Sequence, residues 1–250
     1  EPEMPMTSLS QPSHDRFANT RWSIVMQQTS GVVGEGRSAL GELAQRFWYP
    51  VYAYVRRCGH PPEISREITR GFVRHLTDKF DADWQHPPPG HFRRFLLGEL
   101  NEFLAGDWRA LAANADAGHP APPADLENRN LRDNAGAASP EAAYQRSFAL
   151  EVLARALQKL GAEARQAGHR EMFDALKPYL AQDPVPGEYE AIAQRLRIRP
   201  MALVLALKRL RQRLRDLTGR ELADTVASPD DLAAEQAALL AVLRGAPKLQ

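Results

Sequence analysis

Large apolar residues in this chain recur at helical spacings and show no convincing series of strand-like alternations, which points to an all-α architecture. In SALGELAQRFWYPVYAYVRRCG, Leu40, Leu43, Phe47 and Tyr54 follow at intervals of three, four and seven. Such intervals bring side chains to one helix face, so these four are expected in the core. Residues 60–76, HPPEISREITRGFVRHL, put Ile64, Ile68, Phe72, Val73 and Leu76 on one face and leave Ser65, Arg66, Thr69 and Arg70 toward solvent or a partner. HFRRFLLGELNEFLAGDWRALAANA repeats the pattern with Phe92, Phe95, Leu96, Leu100, Phe103 and Leu104. A short amphipathic piece, TRWSIVMQQ, precedes them all from Thr20.

Breaks in this pattern divide the chain. Residues 1–15, rich in Pro, Ser, Thr and Gln, are expected to be a disordered tail. PPPG at 87–90 interrupts a first helical domain, 16–115. The stretch DAGHPAPPADLENRNLRDNAGAASP carries few large apolar groups, so 116–138 reads as a flexible linker. A second domain, 139–225, opens with Ser139 as N-cap and Pro140 at the first helical position, although Ala142 denies it a full capping box. REMFDALKPYLAQ is its second helix, ended near DPVPG. Residues 226–250 hold a last amphipathic helix, begun by Ser228 and Pro229, whose docking place the sequence leaves open.

A formal net charge of +1 supplies no global field for a polyanion, so any basic patch has to be local. Cys58 is the sole cysteine; it forbids an internal disulfide and reads as a semi-buried structural thiol. No apolar run nears the length of a membrane span and EPEMPMTSLSQPSH lacks a leader pattern, so a cytoplasmic protein without membrane contact is expected. His60, Glu63 and Glu67 share a helix side, but no second cluster converges on them. With no Gly-rich phosphate loop either, no enzyme activity, metal or cofactor is expected.

The local basic patch lies late in the chain. Tyr189, Ile192, Ala193 and Leu196, followed by Ile198, Ala202, Leu203, Leu205 and Leu210, give the spacing of two helices joined at Arg197–Arg199, a helix-turn-helix. No acid stands between Glu190 and Asp216, whereas Arg195, Arg197, Arg199, Lys208, Arg209, Arg211, Arg213 and Arg215 do. Such a stripe suits phosphate contact; the plainer alternative is an amphipathic helix with a solvated basic face.

The order of these segments carries a resemblance. TRWS at 20–23, FWYPVYAYVRRCGHPPE at 47–63, FRRFLLGELNEFLAGDW at 92–108, MFDALKPYL from 172 and YEAIAQRLRIRPMALVLALKRLRQRLR up to 215 are similar to bacterial RNA polymerase sigma factors of the extracytoplasmic-function type. The resemblance spans about residues 16–225. It implies a first domain that grips the polymerase core at its clamp and opens the promoter −10 element. It also implies a second domain that meets the flap and reads the −35 element. Carried onto this chain, Arg93, Arg94, Trp108 and Arg109 would meet the −10 region, and Arg197, Arg199, Lys208, Arg211 and Arg215 the −35 region. Arg66, Glu67, Thr69 and Arg70 would face the polymerase.

The departures bear on function. Where relatives carry an acidic cluster that pairs with clamp arginines, this chain has Ile64, Ser65, Arg66 and Glu67, so like charge would meet like. After Trp108 only Arg109 remains of the usual bases, Arg197 replaces the turn glycine, and MALVLAL is unusually apolar for a DNA-facing helix. Two functions stand as expectations. One is a sigma factor whose missing negative charge is supplied by a Ser/Thr kinase acting at Thr69, adding about −1.5 to −2 charge. The other is a sigma-like fold repurposed for protein binding, with Met201, Val204 and Leu207 as its docking strip.

Overall fold

The computed structural model describes residues 17, 20–27, 33–83, 90–109, 125–185 and 187–244, and among them eleven α-helices, one 3-10 turn and no strand. The expected tail 1–15, most of PPPG and the first part of the expected linker lie outside the described residues. The helices are α1 (Arg21–Met26), α2 (Val33–Arg46), α3 (Trp48–Arg57), α4 (Pro62–Asp83) and α5 (Phe92–Ala105). After them come α6 (Leu126–Asn134), α7 (Pro140–Gln166), α8 (Arg170–Leu176), the 3-10 turn Lys177–Leu180, α9 (Glu188–Leu196), α10 (Pro200–Ala223) and α11 (Pro229–Arg244).

Caps fall where the local chemistry supplies them. Thr20 accepts from the Ser23 amide at the start of α1, and Ser139 accepts from the Ala142 amide ahead of Pro140 in α7. Ser228 does the same for the Asp231 amide at the start of the last helix while its hydroxyl donates to the Asp231 carboxylate.

The largest core gathers the predicted faces: Leu40, Leu43, Phe47, Tyr54, Ile68, Phe72, Val73, Leu76, Phe92, Phe95, Leu96, Leu100 and Phe103 are all buried in it. Trp22 sits at its centre against the Phe92 and Phe95 rings, and its indole N–H donates to the Gly90 carbonyl at 2.7 Å. The boundary expected at residue 139 does not separate this core from the C-terminal half of the chain. Tyr144, Phe148, Ala149 and Val152 of α7 belong to it, with the Phe148 ring stacked on Phe47 at 4.1 Å, and so do Leu222 and Leu239.

The segment after α10 stitches the two halves together. The Trp22 amide donates to the Asp224 carbonyl, the Phe92 amide to the Thr225 carbonyl, and the Thr20 hydroxyl to the Val226 carbonyl. Arg21 and Arg46 both reach Asp224 at 2.8 Å. Helix α11 then packs against α7 and α10, which settles the docking place that the sequence left open.

Residues 126–134 correct the reading of 116–138 as a flexible linker. They form α6, clasped to α3 by polar groups: Tyr52 donates to Glu127 at 2.5 Å, Arg56 binds both Glu127 oxygens, and Tyr49 donates to Asp133 at 3.0 Å. The Arg129 guanidinium lies 3.8 Å from the Tyr49 ring centroid and bonds Glu151 of α7.

Candidate nucleic-acid interface

The far end of α7 carries a second unit. Its Ala156, Leu160 and Ala164 pack with Phe173 and Leu217, and beyond them Leu176, Ile192, Leu203 and Leu207 close a small core under α9 and α10. Gly161 lets the Phe173 ring come close, since a Cβ there would stand 3.2 Å from it. Arg213 binds Glu163 through two bonds of 2.8 and 2.5 Å, and this pairing holds the Glu163 carboxyl below its ordinary range.

Helix α9 starts after Gly187, at φ 90°, with Glu188 and Glu190 in its first turn, where they complement the helix dipole. It ends at Arg197, which takes φ 53° and is the only non-glycine residue of positive φ among those described. The Ile198 amide bonds the Ala193 carbonyl and the Arg197 amide the Gln194 carbonyl, the paired closure of a Schellman turn. Arg197 thus does the work of the absent glycine, and Ile198 folds back onto the cluster that contains Ile192. Pro200 then opens α10 at a position that needs no N–H donor. Two helices, α9 and α10, thus meet at the joint Arg197–Arg199.

Helix α10 buries Leu203 and Leu207 and turns Met201, Val204 and Leu205 outward, at 68 %, 40 % and 49 % exposure. The expected strip is corrected accordingly: Leu207 is a core residue, and Leu205, which the spacing placed inside, is its exposed member. Arg197, Arg199, Lys208, Arg209 and Arg215 are also exposed. Arg211 is not free for a phosphate. Its guanidinium donates to the Tyr179 and Gln182 carbonyls and to Asp183, closing the end of the 3-10 turn.

Residues expected at the −10 region separate into two groups. Arg94 and Arg109 are exposed, and the Arg109 guanidinium lies 4.6 Å from the half-buried Trp108 ring, which meets the His60 ring edge-on. Arg93 points the other way: it is held by both oxygens of Glu235 and by Gln145, and its side chain is only 12 % exposed. It belongs to the packing between α5 and α11, not to an open surface. Glu99 and Glu102 line the same groove as Arg94, which weakens its appeal to a phosphate.

On α4, Glu67 is exposed, Arg66 and Arg70 are half-buried, and Arg66 stands 3.8 Å from Glu63. Ser65 and Thr69 overturn the expectation that they face solvent, for both are wholly buried. The Thr69 hydroxyl donates to the Ser65 carbonyl at 2.7 Å, so its polarity is satisfied inside its own helix. A kinase would find no presented hydroxyl there. Cys58 is exposed, not semi-buried, and packing around its sulfur together with the Glu141 carboxylate pushes its thiol pKa up.

Among the described residues no three His, Cys, Asp or Glu side chains gather to hold a metal ion, and no helix is long and apolar enough to cross a membrane. No protein-family model, curated protein or solved structure matches the chain.

Proposed function

We propose that this chain is a sigma-type transcription protein that binds duplex DNA through α9 and α10. The observation that carries this reading is the turn at Arg197 joining α9 and α10, with Arg197, Arg199, Lys208, Arg209 and Arg215 exposed around it and no acid between Glu190 and Asp216. Helix α9 braces α10 from behind while the N-terminal turns of α10 enter the major groove. RNA polymerase core is the partner implied by the order of the helical segments, with exposed Glu67 and its neighbours Arg66 and Arg70 offered to it. The protein works in the cytoplasm, where both lie. Buried Thr69 drops out as the phosphosite.

Fluorescence anisotropy on labelled duplex across a salt series tests the DNA half. Five cations on phosphates give log K against log salt a slope of about −4 to −5. A flat dependence, or no binding at low salt, would overturn it. The polymerase half is tested by initiation from a promoter library with purified core, and fails if core neither binds the chain nor initiates with it.

A further inference from the structure

The exposed side chains of the first two turns of α10 are Pro200, Met201, Ala202, Val204 and Leu205; none of them can donate a hydrogen bond, and the only acceptor among them is the weak Met201 thioether. Lys208 is the first exposed side chain after Arg199 that can donate one. Cations bracket the apolar strip, Arg197 and Arg199 before it and Lys208 and Arg209 after it. That bracket is complementary to a polyanion, and it fixes which occupant covers the strip.

In the major groove a base pair offers donors, acceptors and, on thymine alone, a C5-methyl group. Side chains with no donor and only a weak thioether acceptor engage the first two poorly, but they gain by covering the third. We infer that α10 selects duplex DNA by its thymine methyl groups, with Met201, Val204 and Leu205 covering them and the flanking cations seated on phosphates. This rests on the DNA-binding reading of the same helix and names the class of sequence it takes: thymine-rich steps, read without hydrogen bonds to base edges from the first two turns.

Removing the methyl group alone tests it. The full chain is titrated with alternating dA–dT duplex, with alternating dA–dU duplex, which differs only in lacking the methyl, and with alternating dG–dC duplex. The dA–dT duplex binds more tightly than dA–dU by about fourfold for each methyl covered, the worth of one buried carbon. Met201→Ala and Val204→Ala narrow that ratio and leave the salt slope unchanged, whereas Lys208→Ala weakens all three duplexes alike. Both apolar positions are exposed, so a thermal melt matching the parent verifies that the variants fold. Equal affinity for dA–dT and dA–dU overturns the inference while leaving DNA binding intact. Failure of every duplex to bind at low salt overturns DNA binding itself. Self-association abolished by Val204→Glu, with no change in DNA affinity, overturns the inference by making the strip a protein interface.

Discussion

Glu235, 2 % exposed, grips Arg93 from 142 positions further along the chain, 2.6 Å to Nε and 2.8 Å to Nη2. His91 stands 3.4 Å from the same carboxylate. An ion pair this enclosed contributes little beyond what apolar groups of the same volume would, but it cannot lose one member cheaply. Glu235→Leu and Arg93→Met should each cost about 3–5 kcal/mol, because the remaining charge is stranded. The double change Arg93→Met with Glu235→Leu should recover most of that. Urea unfolding midpoints of the four proteins measure both effects, and a fully additive double loss would show that the pair is not coupled.

Arg197 supports a prediction of opposite sign. A side chain in the left-handed region costs roughly 1–2 kcal/mol, part of which glycine returns as greater freedom of the unfolded chain. Arg197→Gly should therefore stabilise the protein by about 0.5–1 kcal/mol, and Arg197→Val should destabilise it. Thermal melts decide this directly, and a glycine variant that melts lower would mean that the Arg197 side chain contributes more than its backbone costs.

Thr69 separates packing from signalling. Thr69→Val keeps the shape and loses one bond to a carbonyl of its own helix, a change of about 1 kcal/mol or less. Thr69→Glu places an unpaired charge in a closed site and should cost more than about 3 kcal/mol. Chemical denaturation measures the difference. An acidic variant as stable as the parent would contradict the closed environment described for this residue.

The clasp between α3 and α6 should loosen in acid. Hydrogen bonds from Arg56, then from Tyr52, hold the Glu127 carboxyl below its ordinary value of 4.5. A carboxyl depressed in the folded state contributes fully above its unfolded pKa and loses that contribution as pH falls through the folded value. Stability should therefore decline below about pH 4.5, with amide exchange over 126–134 rising first. Glu127→Gln should flatten that part of the curve. An unchanged acid limb in the variant would assign the transition to other carboxylates.

The helices of the large core were legible because apolar spacing reports burial directly: Leu40, Phe72 and Phe103 fall where their intervals put them. Helix α6 was not, because LENRNLRDN buries one large apolar residue, Leu126, and owes its place to Glu127, Asp133 and Arg129, whose partners lie on α3 and α7. Polar type misled at Ser65 and Thr69, since a hydroxyl bonded to a nearby backbone carbonyl, that of His60 for Ser65 and that of Ser65 for Thr69, can be buried without cost to the neighbours. The two helices flanking Arg197–Arg199 were readable, but which of their cations are free was not. Arg93 and Arg211 look like their neighbours in sequence, and only the fold supplies Glu235 to one and the Tyr179 carbonyl to the other.

Helix α7 runs 27 residues, about 40 Å at 1.5 Å per residue, and its two ends lie in different cores. It therefore behaves as a caliper. Footholds taken at its opposite ends are held at a set gap, and a partner with a different gap between docking points would have to bend the rod and break its internal hydrogen bonds. On the proposed DNA-binding reading, that span is close to one turn of duplex, roughly 34–36 Å, and would set the gap between two contacts along it.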